Sequence, residues 1–221
     1  MKERLDRETI ALRVAKEFED GWVVNLGAGI PGLASNFVPE GKTVIFHAEN
    51  GVLGFGGVPS TPEEENPYYL GANGLPFSAL PGMCFFHHAD SFAMIRGKHI
   101  DVTVLGALQV SEQGDLANWT FPERGIGNIG GAMDLASGCG KVIIAMEHVS
   151  PKGQLKILKK CSYPLTASRC VSLIVTDIAV IEVMPDGLVL KETAPGWTVE
   201  EIQALTEPKL IVSPNLREIE L

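Results

Sequence analysis

Apolar and polar residues follow two periods along this chain, and the changes of period mark its elements. Leu5, Ile10, Ala11, Val14, Ala15 and Phe18 share one helical face, with Lys16, Glu17, Glu19 and Asp20 mostly on the other. The spacing predicts a helix over residues 5–20, stopped by Gly21. Trp22–Leu26 is a short apolar strand, a glycine-rich turn at 27–32 leads into a helix-like Leu33–Val38, and Thr43–His47 is the next strand. Residues 49–82 are rich in Gly and Pro without a clear period, and an irregular stretch this long inside a domain is usually functional. Beyond it, Ser91–Arg96 reads as helix, and Asp101–Leu108 is an apolar run suited to a strand buried on both faces. A turn is expected at Ser111–Asp115, and Lys141–Met146 and Val171–Thr176 read as further buried strands. Ala179–Met184, the turn Pro185-Asp186-Gly187 and Leu188–Glu192 spell a β-hairpin. Thr198 and Glu201 have the spacing of a capping box for a helix to Leu205, and Lys209–Val212 is a last strand. The expectation is one α/β domain over residues 1–221, an open, mixed, mainly parallel sheet with flanking helices.

Composition narrows the chemistry. Glycine stands at 24 of 221 residues, above a usual share near 7%, and apolar residues at 45%, which excludes a disordered chain. A net charge of −9 argues against nucleic acid or an anionic membrane surface as partner. The N-terminal Met1–Arg7 carries both signs of charge and no apolar run, so no signal peptide is expected. Asp177 and Glu182 interrupt the apolar stretch Val171–Met184, which is too short to span a bilayer. The four cysteines lack C-x-x-C spacing and read as reduced thiols, which together places the protein in the cytoplasm. His87 and His88, read as strand neighbours on opposite faces, make a poor metal pair, and no metal site is expected.

Three constellations carry candidate chemistry. Gly27-x-Gly29-x-x-Gly32 follows a strand and precedes Glu49 by about 20 positions, the order of a dinucleotide-binding fingerprint and hence of a nicotinamide-dependent oxidoreductase. Pro31 removes a backbone donor from that turn, and a second literal match, Gly125–Gly130, follows no strand. Glu49-Asn50-Gly51 ends a strand and opens a loop of small residues, where a carboxylate could be nucleophile, base or ribose ligand. Gly130-Gly131 can aim bare N–H groups at one point, as an oxyanion hole requires; the plainer reading is a tight turn before a short helix.

With those residues in view, the chain resembles the B (β) chain of family I coenzyme A transferases, most closely the acetoacetate/butyrate-type 3-oxoacid CoA-transferases. The resemblance runs through Val24–Pro31, Glu49–Gly54, Ser91–Gly97, Val104–Val110, Leu116–Trp119 and Gly130–Leu135, nearly the whole length. It implies a fold related to ribose-5-phosphate isomerase-like domains, with Glu49 as nucleophile in a ping-pong reaction through a glutamyl-CoA thioester. Gly130 and Gly131 become the oxyanion N–H candidates, Asn25 the residue orienting Glu49 or its thioester, and Asn50, Gly51, Gly27 and Gly29 the substrate-binding positions. Coenzyme A would be a co-substrate, with no tightly bound cofactor, and the partner an A (α) subunit in an α2β2 assembly, without which this chain is inactive. The Lys152, Lys156, Lys159 and Lys160 cluster, Arg124 or the partner would meet the CoA phosphates. Two loops depart from the family's pattern: Pro122-Glu123-Arg124 through Gly131 stands where relatives carry Pro-Gly-Lys and Gly-Met-Gly-Gly. Likewise Gly71-Ala72-Asn73-Gly74 replaces an Asn-Ala-Gly-Lys type sequence, which leaves the acyl group open. A homologue that binds acyl-CoA without catalysis is a further alternative; retention of Glu49, Gly130 and Gly131 argues against it.

Overall fold

The computed structural model describes residues 2–220. In chain order the elements are α1 (Arg7–Ala15), β1 (Val23–Leu26), α2 (Ile30–Leu33), β2 (Ile45–Ala48), β3 (Val52–Phe55), β4 (Cys84–Phe85) and α3 (His88–Arg96). There follow β5 (Val102–Leu105), β6 (Gln109–Ser111), β7 (Leu116–Ala117), α4 (Ala132–Gly138), β8 (Lys141–Met146) and β9 (Ile157–Leu158). The chain closes with β10 (Leu173–Thr176), β11 (Ala179–Met184), β12 (Gly187–Thr193), α5 (Val199–Ala204) and β13 (Ile211–Glu218).

Ten strands form one sheet in the order β13-β12-β11-β10-β8-β5-β1-β2-β3-β4, and β7-β6-β9 form a second, small one. The five central strands, β10, β8, β5, β1 and β2, run parallel; the hairpins β10-β11-β12 and β2-β3-β4 flank them antiparallel, and β13 pairs parallel with β12 at the edge. This is the mixed α/β sheet the patterning predicts. Strands buried on both faces are near-continuous apolar runs, and β5, β8 and β10 have that character. Successive residues of β8 feed opposite layers: Ile143 and Ala145 join the core beneath α1, Val142 and Ile144 the core beneath α3 and α4.

Several boundaries moved for physical reasons. Helix α1 starts at the Asp6 cap, whose carboxylate accepts the Thr9 N–H at 2.8 Å, but it ends at Ala15 rather than at residue 20. Phe18 keeps the apolar spacing because it is core, edge-on to Phe46 at 6.2 Å, yet it gets there through a turn. The helix expected at Leu33–Val38 begins earlier, at Ile30, and gives way to a 3-10 turn at Ala34–Asn36. The irregular stretch 49–82 contains β3. Its remainder is pinned down by stacking of Tyr69 on Phe77 at 5.7 Å and of Phe77 near Phe55 at 4.8 Å. His87 and His88 are not strand neighbours. His87 caps α3, its Nδ1 accepting the Ala89 N–H at 3.1 Å, and His88 is the first residue of that helix. The last strand begins at Ile211, two residues later than expected, and runs on to Glu218. It carries Pro214 on the sheet edge, where its register against β12 shifts and no ladder donor is needed. The Thr198–Glu201 capping box stands as the sequence predicts, and the expected hairpin forms with its turn one residue shorter, because Gly187 pairs with Met184 and opens β12. Among the described residues no helix is long and apolar enough to cross a membrane, and no three His, Cys, Asp or Glu are grouped to hold a metal ion.

Candidate active site

Chain order sets the place of the site. From β1 the chain moves to β2 on one side and then returns to β5 on the other, so the strand order reverses across β1. Crevices at the carboxyl ends of parallel strands beside such a reversal are where open α/β sheets bind ligands. A cleft of about 340 Å³ lies there, lined by the ends of β1 and β5 (Asn25–Ala28, Leu105–Leu108), by Glu49, and by residues 72–73, 118 and 128–132 with Leu135.

Glu49 is placed by a tight turn. Strand β2 ends at Ala48, β3 begins at Val52, and the Gly51 N–H closes the turn on the Ala48 carbonyl at 3.0 Å. A three-residue hairpin loop calls for glycine at its last position, and Gly51 has φ +109°. A Cβ there would collide with the Phe86 carbonyl oxygen, whose residue in turn donates its N–H to Gly51 O at 3.0 Å. Gly51 therefore keeps the loop against the start of α3, outside the cleft lining. Gly51→Ala is expected to destabilise the fold by more than about 2 kcal/mol, read as a drop in Tm, because strain and a backbone clash act together. An unchanged Tm with a raised KM would instead give Gly51 a binding role.

Half-buried, Glu49 faces the first turn of α4. The Gly131 N–H donates to Glu49 Oε1 at 3.1 Å. A Cβ on Gly131 would sit 2.8 Å from Glu49 Cδ and closer still to Oε2, so only glycine lets the backbone approach this far. Burial pushes the Glu49 carboxyl above the ordinary carboxylate range, and Asp134 adds to this; the Gly131 hydrogen bond and the nearby His88 pull the other way without cancelling it. Asp134 is itself held by Arg96 of α3, at 2.7 Å.

Beneath Glu49 runs a buried polar chain. Thr103 Oγ1 donates to Asn25 Oδ1 at 3.2 Å, and Asn25 Nδ2 reaches both His47 Nδ1, at 3.1 Å, and the His47 carbonyl, at 3.2 Å. An amide nitrogen only donates, so His47 Nδ1 accepts and the ring proton lies on Nε2, 2.9 Å from Ser91 Oγ. Burial pushes the His47 imidazole down to about 4, which keeps this neutral tautomer at neutral pH. Asn25 thus spends its oxygen on β5 and its nitrogen on β2, and through His47 and Ser91 the chain of bonds ties β1, β2, β5 and α3 together.

The structure brings Asn25, Gly27, Glu49, Gly130 and Gly131 to one cleft; Gly29, Asn50 and Gly51 are not on its lining. The Asn50 amide donates to the Leu70 carbonyl at 2.8 Å, and Gly29 caps the four-residue α2 with φ +80°. Gly32, last of the fingerprint glycines, is crowded by Asn73 and Leu75, each 2.7 Å from where a Cβ would sit, so it serves packing. The N–H groups of the glycine pair diverge: that of Gly130 goes to Asn128 Oδ1 at 3.2 Å. Sequence reasoning did not single out Asn73, Asn118, Asn128 and the Leu105–Leu108 segment as site residues. None has a local signal, since each reaches the cleft only through the strand order. The Lys152–Lys160 cluster does not line the cleft; Lys156 donates to the Glu147 carbonyl at 3.1 Å, and burial pushes its ammonium down to about 8. The side chain of Arg124 lies outside the described residues.

Comparison with known proteins decides the family. Residues 7–205 match the family described as Coenzyme A transferase. The chain belongs to the coenzyme A transferase family. It is 46% identical over 209 residues to the B chain of the 3-oxoadipate CoA-transferase of Acinetobacter baylyi, covering 94% of this chain and 96% of that one. It is 48% identical over 218 residues to the mitochondrial succinyl-CoA:3-ketoacid coenzyme A transferase 2 of Homo sapiens, covering 98% of this chain but 42% of that longer protein. Among solved structures it superposes with a TM-score of 0.74 on an acyl-CoA transferase of Escherichia coli O157:H7 in a thioester complex with CoA. That match covers all of this chain and 44% of the other at 20% identity, a likeness of fold. This member of the family is a CoA-transferase, an enzyme of the 3-oxoacid type by its named relatives.

Proposed function

We propose that Glu49 is the nucleophile of this CoA-transferase and that coenzyme A passes through it as a covalent thioester. One observation carries the reading: a half-buried carboxylate at the end of a central parallel strand, facing a cleft, with a glycine N–H on one of its oxygens at 3.1 Å.

The steps balance without another reactant. A Glu49 oxygen attacks the acyl-CoA carbonyl carbon, the C–S bond breaks, and CoA leaves as thiolate with an acyl-glutamyl anhydride behind it. The thiolate then attacks Glu49 Cδ, the C–O bond to the acyl group breaks, and the free acid leaves a glutamyl-CoA thioester. The acceptor carboxylate runs the same steps in reverse. A carboxylate is a weak nucleophile, so positioning and charge stabilisation supply the rate. In the tetrahedral stage at Cδ, negative charge gathers on a Glu49 oxygen, and the Gly131 N–H already sits on Oε1. Its hydrogen bond strengthens as that charge forms, so it stabilises the tetrahedral stage relative to the neutral anhydride that precedes it. The Gly130 N–H is committed to Asn128 and contributes by shaping the turn. Asn25 acts one step removed, fixing the backbone at His47, two residues before the nucleophile.

CoA is a co-substrate in this scheme, and the active enzyme pairs this chain with an A (α) subunit. Two relatives support the pairing: the Acinetobacter baylyi protein is one of two differently lettered chains, and the human polypeptide is more than twice as long as its matched part. The strongest physical support is charge: CoA's phosphates need cations, and the cleft lining holds none among the described residues.

Trapping tests the whole reading. Incubation of the assembled enzyme with acyl-CoA followed by borohydride should inactivate it, with the reduced product mapped by peptide mass to Glu49. Full activity after that treatment, or reduction mapped elsewhere, refutes the assignment.

A further inference from the structure

Two helices meet at Glu49. The Gly131 N–H at the start of α4 donates to its Oε1, and the turn that carries it packs through Gly51 on the residues that lead into α3. Asp134 follows Gly131 by three residues, one turn further along α4. Helical side chains lean back toward the N-terminus, so this spacing carries the Asp134 carboxylate toward Glu49. Two carboxylates so placed repel, and Asp134 works against a charge on Glu49. The side chain that holds Asp134 comes from the other helix. Arg96, the last residue of α3, donates from Nε to Asp134 Oδ1 at 2.7 Å, a single bond. Its guanidinium lies over Phe92, 5.5 Å from the ring centroid, and Phe92 stacks on His88 at 4.6 Å, so positions 88, 92 and 96 form one column along α3. The charged groups that act on Glu49 are His88 of that column and Asp134; His47 lies beneath and is neutral at neutral pH. Arg96 therefore reaches Glu49 through Asp134.

Resting on the assignment of the nucleophile to Glu49, we propose that Arg96 is a positioning residue for the first half of the reaction. By holding the Asp134 carboxylate, it keeps that charge from closing on Glu49 while Glu49 stands free and ionised, before any thioester forms. Arg96 is 67% exposed and Asp134 30%, and an ion pair this open to water adds little to stability. A purely structural role thus predicts little change on its loss, and none in how the rate depends on pH. The positioning role predicts a direction. Without Arg96 the Asp134 carboxylate is free to approach, ionised Glu49 is disfavoured, and the acid limb of the rate moves to higher pH. Asp134→Asn keeps the shape and removes the repulsion, so the limb moves to lower pH. His88 is the same in every variant and cancels in the comparison.

The test is a pH profile of kcat/KM for the CoA donor, which reports the free enzyme, in which Glu49 is a carboxylate rather than a thioester. It uses the chain assembled with its A (α) partner, with succinyl-CoA as donor and acetoacetate as acceptor. On the acid limb, Arg96→Met should lower kcat/KM about threefold and Asp134→Asn raise it about threefold, the reach of one exposed charge pair, with Tm little changed. Arg96→Lys should restore the parent's limb, because a single bond from a cation is all that holds Asp134. In the Asp134→Asn background, Arg96→Met should move the limb no further, since no charge is left to hold. A limb that Arg96→Met leaves in place, or moves equally in both backgrounds, overturns the proposal. So does a change in the plateau alone, or a parent without an acid limb. Borohydride trapping separates the two levels. A label at Glu49 with a limb indifferent to Arg96 defeats this proposal alone, whereas no label at Glu49 defeats the assignment beneath it.

Discussion

Glu49→Gln is expected to abolish CoA transfer, lowering kcat by on the order of 10⁴-fold or more, because the amide keeps the shape and loses the nucleophile. The same variant should be more stable than the parent at pH 7. Glu49 has a raised pKa in the folded protein, so folding favours its protonated form. The stability this group contributes is complete below its unfolded pKa and is lost as pH rises through the folded one. At neutral pH the parent has lost it, whereas glutamine never ionises. Thermal melts at pH 7 and at about pH 4 check this: the variant's advantage in Tm should be present at the first and gone at the second. Activity of the parent should show an acid limb above the ordinary carboxylate range, since the nucleophile must be ionised. Equal melting at both pH values would mean that the site does not destabilise its own carboxylate.

Gly131→Ala should cost about 10²–10³-fold in kcat, the usual worth of one oxyanion donor, since the added methyl displaces the Glu49 carboxylate from the N–H that holds it. Gly130→Ala is the informative neighbour. The nearest atom to its Cβ is Glu49 Oε1 at 3.7 Å, so space is available and the cost is the backbone strain of φ +51°, about 1 kcal/mol. That variant should lose about tenfold or less in kcat, with a small drop in Tm. Steady-state rates of the two assembled variants settle it; equal losses would mean that both N–H groups serve the reaction.

The difference between these neighbours shows how far local patterning reaches. Gly-Gly before a short helix is readable as a turn that can present N–H groups, and both glycines are legible as candidates. Which N–H meets the carboxylate depends on Asn128, whose side chain takes the Gly130 donor for itself. The end of α1 went astray in the same way. Phe18 continues the helical spacing, yet its burial against Phe46 of β2 is met from a turn, because packing fixes the position of the ring and not the helix. Elements whose signals are local came through: the doubly buried run of β8, the β11–β12 hairpin and the reciprocal bonds of the α5 cap.

The sequence alone determines where the buried strands lie, that a lone carboxylate follows one of them in a Glu-Asn-Gly turn, and that the chain resembles CoA-transferases. Those properties follow from neighbours a few residues apart, whose spacing fixes period, turn and motif. Only the tertiary structure decides that Gly131, 82 residues away, donates to Glu49, that the Asn25 amide bonds His47, and that the cleft lining carries no cation among the described residues. These depend on the order of strands across the sheet, with β5 placed beside β1 and opposite β2. Long-range burial sets that order, and no local pattern encodes it.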